Sequence, residues 1–293
     1  LLNKDKTKMF YITDEILNKE VFEVPEGIDI LRPNILSGNA IKKVKIPASV
    51  TNIENDFFPT SLEEIEIDSE NKNFIVSNGG IYNKEKSILY FYFKNEDILN
   101  LDEGIIEIGE KAFRKTKATT INLPNSVKKI DGYAFGTYVK NINIQENVED
   151  INNTAFSVCD TNININKNNK KYTVENGILY NKEKTYLIVC TKNIESIKIP
   201  EGVSTIGSYA FNSRKYMKNI ILSSTLNCIE EKAFFNCTGL TEITIPSSVT
   251  EIGSNCFMET DNLKKIKINK TENSISGAPW GNRYGTRAIE WQR

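Results

Sequence analysis

Phe58, Phe113, Phe135, Phe156, Phe211, Phe234 and Phe257 each close the same phrase, and that phrase makes up most of the chain. Its clearest copy runs from Ile243 to Phe257, and the copy before it from Ile220 to Phe234. A period of about 20 to 25 residues is the mark of a stacked repeat. No single turn of such a chain can bury its own apolar face, so neighbouring turns must stack into a solenoid.

The turns align column by column. A strand marker falls at Phe22, Val44, Ile65, Leu99, Ile121, Ile142, Ile163, Ile197, Ile220, Ile243 and Ile266, and a second aliphatic follows two residues later, from Val24 to Ile268. Period two with β-branched residues predicts a strand with one buried face. Pro25, Pro47, Pro124, Pro200 and Pro246 follow directly, and a residue without an N–H ends the ladder there. Two more inward columns come next: Ile28, Val50, Ile105, Val127, Val148, Val203, Leu226 and Val249, then Leu31, Ile53, Ile108, Ile130, Ile151, Ile206, Ile229 and Ile252. Gly, Asp, Asn or Glu then stands where a short helix would start. The helix is expected to end in the Ala-Phe pair, with Leu36 replacing Phe in the first turn. In register, the phenylalanines would form one continuous aromatic spine.

The stretch Leu240–Phe257 and the phrase Ala233-Phe-Phe-Asn-Cys-Thr-Gly-Leu240 resemble the leucine-rich repeat of the bacterial surface-antigen, BspA-like class. The resemblance spans essentially the whole chain. It implies an α/β, right-handed leucine-rich-repeat solenoid with a curved parallel sheet on the concave face, short helical turns opposite, and inserted β-hairpin excursions.

Two steps, Ile65 to Leu99 and Ile163 to Ile197, are 34 residues long and share their own text. Residues 74–90 align with 172–188, and both copies lack the Ala-Phe phrase. Asn78-Gly79 and Asn176-Gly177 are tight-turn signals, and Asn-Lys-Glu-Lys is a second polar turn. Each long turn therefore reads as a small antiparallel excursion. Both keep their strand aliphatics, so the sheet is expected to continue across them. Residues 1–10 resemble 179–188, which suggests a third excursion and a chain that lacks upstream repeats. The expected organisation is one array over 1–293: a partial hairpin turn at 1–21, repeats over 22–268 with long turns at 68–98 and 166–196, and a terminal cap over 269–293.

Composition narrows the function. There are 37 basic and 38 acidic residues, interspersed, which argues against a nucleic-acid footprint or anionic-membrane binding. The apolar runs are too short for membrane insertion. The chain has no histidine, which removes the commonest general base, the Ser-His and Cys-His nucleophiles and most zinc sites. No cofactor or metal motif is present in the text. Carboxylate pairs such as Glu63-Glu64 and Glu230-Glu231 read as solvated faces. Cys159, Cys190, Cys228, Cys237 and Cys256 read as free structural thiols at inward positions. The expectation is a chain without enzymatic activity.

The outward strand columns hold a run of amides: Asn100, Asn122, Asn143 and Asn164 in one, Asn141 and Asn162 in its neighbour. Asn is a poor strand former, so its recurrence needs a cause. One reading is an amide ladder, each side chain bonding the next. The other is a neutral polar floor that binds a ligand. With the family resemblance, the expected function is recognition or adhesion by an extracellular or cell-surface protein, toward a protein or glycan on a host or cell surface. The alternatives are a passive stalk, or the recognition region of a larger secreted enzyme or effector.

Overall fold

Every predicted strand marker sits in a strand or buried beside one, and the turns stack through parallel pairing. The computed structural model describes residues 2–36, 40–157, 159–271, 274–278, 280–281 and 288–291. The main ladder has four stretches. Val21–Glu23, Lys43–Ile46 and Glu64–Ile67 form the first; Ile98–Asn100, Thr120–Asn122, Asn141–Ile144 and Asn162–Ile165 the second. Ser196–Lys198 pairs with Asn219–Ile221, and Glu242–Ile245 with Lys265–Ile268 and Ala288–Trp291. The registers join marker to marker, as in Ile121↔Ile142 and Ile243↔Ile266. A second ladder of two-residue strands carries the last inward column, with Ile108↔Ile130↔Ile151 and Ile206↔Ile229↔Ile252.

The helical side is not helical, and the α/β expectation is corrected to a parallel β-solenoid. Among the described residues the one α-helix is Asp14–Leu17. The physical reason lies just before the closing Ala-Phe or Cys-Phe pair of five turns. Lys111, Tyr133, Tyr209, Lys232 and Asn255 have φ between 53° and 58°, a left-handed backbone that a right-handed helix cannot propagate through. Their N–H groups therefore point along the solenoid axis rather than back along the chain. Lys111 N donates to Gly132 O at 3.1 Å, and Phe113 N to Ala134 O at 2.7 Å. Phe211 N to Ala233 O and Phe234 N to Cys256 O repeat this at 2.8 and 2.9 Å. These donors are satisfied by the next turn, while those between them bond three residues back, as Ala112 N does to Gly109 O at 3.2 Å.

Each long turn is a three-stranded antiparallel meander. The first comprises Phe74–Ser77, Gly80–Asn83 and Ile88–Tyr92; the second Tyr172–Glu175, Ile178–Asn181 and Tyr186–Cys190. The last strand of each joins the second ladder in parallel, through Leu89↔Ile108 and Leu187↔Ile206. These meanders lie inside the array as walls. Ile81 and Phe93 pack into the core formed by residues before the first meander, while Tyr82, Leu89 and Tyr92 pack into the core that follows. In the second, Leu179 and Val189 face that middle core, and Ile178, Leu187 and Cys190 face the last one. This corrects the expectation of an unbroken sheet. The main ladder stops at Glu64–Ile67 and resumes at Ile98–Asn100, because a two-faced layer stands between.

The aromatic spine is segmented for the same reason. Phe113, Phe135 and Phe156 stack with centroids 5.7 and 5.2 Å apart, and Phe211, Phe234 and Phe257 at 5.1 and 5.5 Å. Phe58 stacks on Phe91 at 4.8 Å, and Tyr92 leads to Phe113 at 5.9 Å. Leu36 is buried in the first turn. The cysteine column also satisfies backbone carbonyls. Cys159 Sγ donates to Phe135 O at 3.4 Å, Cys237 Sγ to Phe211 O at 2.9 Å, and Thr260 Oγ1 to Phe234 O at 2.5 Å.

At the start, Asn3 Oδ1 accepts from Lys8 N and Lys6 has φ 56°, matching the turns at Lys86 and Lys184. At the other end Trp280 is buried and its carbonyl accepts from Phe257 N. Ala288–Trp291 adds a strand beyond Lys265–Ile268, which the repeat pattern alone marks as the last. Residues 272–273, 279, 282–287 and 292–293 of the expected cap lie outside the described residues.

Candidate functional site

The outward face of the main ladder places the predicted amides in register. Asn100, Asn122, Asn143 and Asn164 are direct ladder partners, and so are Asn141 and Asn162. Strands stand about 4.8 Å apart, within reach of a short amide side chain. The bonds form. Asn122 Nδ2 donates to Asn100 Oδ1 at 2.6 Å and Asn164 Nδ2 to Asn143 Oδ1 at 2.8 Å, and Asn143 donates to Asn122 between them. In the neighbouring row Asn162 Nδ2 donates to Asn141 Oδ1 at 3.1 Å, and Asn141 Nδ2 reaches Thr120 Oγ1 at 3.4 Å. The six predicted site residues are thus brought together as two hydrogen-bonded ladders.

An amide has two N–H donors and two carbonyl lone pairs. A ladder bond on each side uses one of each, and Asn122 and Asn143 are part-exposed while Asn100 and Asn164 are exposed. The row therefore keeps donors and acceptors toward solvent. Its flanks are charged and paired. Lys43 Nζ meets Glu64 at 2.7 Å and Glu66 at 3.0 Å, and Lys45 meets Glu23 at 2.6 Å. Beyond the row Lys218 meets Glu195 at 2.8 Å, Lys267 meets Glu242 at 2.5 Å and Lys265 meets Glu290 at 2.7 Å. These pairs hold the Glu23, Glu195 and Glu242 carboxyls below the usual carboxylate range, through the lysine hydrogen bond first. Ile98 and Ile221 stand on the same face and are more than half exposed.

Sequence reasoning missed a second polar cluster. Glu230, read as solvated, is half-buried and accepts from Tyr186 Oη at 2.8 Å and from Ser208 N and Oγ at 2.9 Å. Asn153 Nδ2 donates to the same phenol at 3.0 Å. Burial first, then the Glu230 hydrogen bond, pushes the Tyr186 phenol up. Its partners lie 33 and 44 residues away, so local text carries no signal for it.

None of the five cysteines is in a disulfide; Cys228 is partly exposed and the others are buried. Burial pushes the Cys159 and Cys237 thiols up to about 12. Among the described residues no group of three or more Cys, Asp or Glu could hold a metal ion, and no helix is long and apolar enough to cross a membrane.

Three comparisons bear on what the chain is. No curated protein matches it significantly. Among solved structures it is similar to a leucine-rich repeat protein from Eubacterium ventriosum, with 25% identity and a TM-score of 0.53. That match covers 85% of this chain, which spans 60% of the other's length. A leucine-rich cell surface protein from Faecalibacterium prausnitzii shares the fold with a TM-score of 0.57 and 21% identity, over 100% of this chain and 92% of that one. The pneumococcal vaccine antigen PcpA does so at 0.50 and 16%, over 96% and 86%. The BspA type leucine-rich repeat region matches in 6 copies over residues 10–96, 75–186 and 185–282. Together with the stacked turns described above, that match makes this chain a member of the BspA-type leucine-rich repeat family.

Proposed function

We propose that the chain is a non-catalytic recognition module of an extracellular or cell-surface protein, and that it binds a protein or glycan partner through the outward face of its main ladder. The observation that carries this is the row from Asn100 to Asn164. It presents four registered amides with solvent-facing hydrogen-bonding capacity, between flanks whose charges are paired. A neutral row suits an extended polar surface and depends little on salt. Repeat solenoids offer extended surfaces of this kind. The surface character of the family's relatives supports an exported setting by analogy.

The amide-to-amide bonds favour a second reading, a passive stalk in which the row serves only cohesion. One experiment separates the two. Asn122, Asn143 and Asn164 are changed together to Ala, and binding to panels of matrix proteins and glycans is measured at low and high salt, alongside the urea midpoint. The recognition reading expects loss of a salt-insensitive binding signal with a stability loss of about 1–2 kcal/mol. Unchanged binding with a large stability loss assigns the row to cohesion.

A further inference from the structure

The two meanders provide an internal control for a cavity. Residues 53–115 align with 151–213 at a constant offset of 98 positions. In the second copy Tyr186 lies over Gly207, where an added Cβ would come within 2.7 Å of its phenol oxygen, and that oxygen is held by Asn153 and Glu230. The first copy has Asn55 for Asn153, Gly109 for Gly207, Asp131 in place of Glu230, and Ile88 for Tyr186. There, a cavity of about 230 Å³ opens, lined by these same four positions. An apolar cavity of about 150 Å³ holds a benzene ring. Tyr90 does not plug it: that ring packs edge-on against Phe74 at 5.5 Å and remains 36% exposed.

We propose that this cavity is a seat for a tyrosine side chain of a partner polypeptide, with the phenol ring against Phe58 and Phe91 beside Gly109, whose own Cβ direction is taken by Leu89 O at 2.8 Å, and its hydroxyl between Asn55 and Asp131. The second meander supplies the same seat's occupant from its own chain. Phe58 and Phe91, stacked at 4.8 Å, give the seat an apolar wall. Asp131 already holds Lys129 at 3.0 Å, but a carboxylate has about four acceptor positions and can take a phenol as well. A phenol has both the ring and the donor that the seat requires, whereas a phenylalanine leaves Asn55 and Asp131 unanswered. The rim carries Glu54, Glu110, Arg114 and Lys115, which suits a polar peptide around the ring rather than a free apolar phenol. This site is separate from the amide row and stands or falls independently of it.

The test uses the full chain and three probes: N-acetyl-tyrosinamide, N-acetyl-phenylalaninamide and p-cresol. Saturable shifts of the Gly109 and Ile88 amide resonances are followed by NMR. The tyrosine amide is expected to bind at least tenfold more tightly than the phenylalanine amide. Ile88→Tyr should fill the seat internally and abolish binding. Tyr186→Ile should open a second seat, reported at the Gly207 amide. Absence of saturable shifts in the parent chain, equal binding of the two amides, or undiminished binding by Ile88→Tyr overturns the proposal. Should Ile88→Tyr fail to fold, Tyr186→Ile decides alone: no second site at Gly207 rejects the shared seat. Binding of p-cresol as tight as that of the tyrosine amide reassigns the seat to a free phenol.

Discussion

At Asn71 and Asn169 the two meanders have the same chemistry. Asn71 Nδ2 donates to Pro47 O and Val50 O at 3.1 and 2.9 Å, and its Oδ1 accepts from Asn73 N and Phe74 N. Asn169 does the same with Gln145 O, Val148 O, Lys171 N and Tyr172 N. The turn tips agree as well, with left-handed Asn78 and Asn176, Lys86 and Lys184. The fillings differ. The first wall puts Tyr92 in the spine column, where Tyr92 N bonds Ala112 O; the second puts Cys190 there, bonding Ala210 O. The first leaves a cavity where the second has Tyr186. The positions that bend the backbone are thus the same in both walls, while volume is moved between neighbouring positions. A wall needs its hydrogen bonds satisfied at fixed points, but its bulk can sit wherever the two adjoining cores have room.

The largest expected difference is in the spine column. Tyr92→Ala removes a ring packed on Phe113 and should cost about 3–5 kcal/mol. Cys190→Ala removes one buried sulfur and should cost about 1 kcal/mol. Urea denaturation of the two variants measures this. Equal losses would show that the walls share load in a way their fillings do not reveal.

Alkali should distinguish the walls next. Cys159, Cys190 and Cys237 surround the second wall, whereas residues 68–115 contain no cysteine. Burial raises the Cys159 and Cys237 thiols from 9.0 to about 12, so the folded state disfavours their ionisation. A raised folded value means that the stabilisation is complete below pH 9 and is lost as pH climbs from 9 toward 12. At pH 10 these two thiols together should lower stability by about 3 kcal/mol. Tyr82 of the first wall, raised by burial to about 12, begins to act only above its ordinary value of 10.0. Between about pH 9 and 10, hydrogen exchange should therefore quicken around residues 172–190 before 74–92. Cys159→Thr with Cys237→Thr keeps a donor in the column, as Thr260 does, and should remove these two thiols' share of the early loss, leaving that of Cys190 and Cys228, which burial also raises. The same early loss in that variant would reject the thiols as its cause.

The shared feature gives a third measurement. Asn71→Ala and Asn169→Ala each remove two bonds to carbonyls and two from N–H groups, and each should cost about 2–3 kcal/mol. The two values should agree within about 0.5 kcal/mol, read from urea midpoints. A clear inequality would break the claim that both walls are anchored alike.

The legible and illegible parts of this molecule divide along physical lines. The columns from Phe22 to Ile266 were readable because alternation and period both report burial, and stacking leaves no other place for those side chains. The amide rows were readable for the same reason: register follows the repeat, so Asn122 must meet Asn143. The missing helices were not readable. Lys111, Tyr133 and Lys232 take a left-handed backbone although Gly, Asn and Asp are the residues enriched there, so composition gave no warning. The breaks in the main ladder were hidden because Leu99 and Ile197 keep their markers on the far side of each wall. The role of Glu230 was hidden because its partner Tyr186 arrives from 44 positions away.

The smallest effect concerns how each wall is clamped to the turns around it. In both, a long cation from the following turn reaches over the wall to a carbonyl of the preceding one. Lys115 donates to Phe58 O in the first, and Arg214 Nη2 to Ser157 O at 3.4 Å in the second. Around the first wall, Lys111 and Arg114 add ion pairs to Asp56 at 2.9 and 3.1 Å. Arg214 is buried, 3% exposed, and lies in the column that holds Cys237 and Thr260; a short donor there could not cross the inserted layer. Its Nε bonds Asn212 O at 3.0 Å, while its Nη1 has no protein partner among the described residues. Burying a cation with incomplete bonding costs about as much as its remaining contacts return. Arg214→Met should therefore change stability by less than about 1 kcal/mol, and Lys115→Met by a similar amount, because Asp56 still clamps the first wall. Adding Asp56→Ala to Lys115→Met removes that second clamp and should cost more than the two single changes summed. An additive pair would show that the two contacts act independently, whereas a loss from Arg214→Met of several kcal/mol would make that cation the main fastening of the second wall.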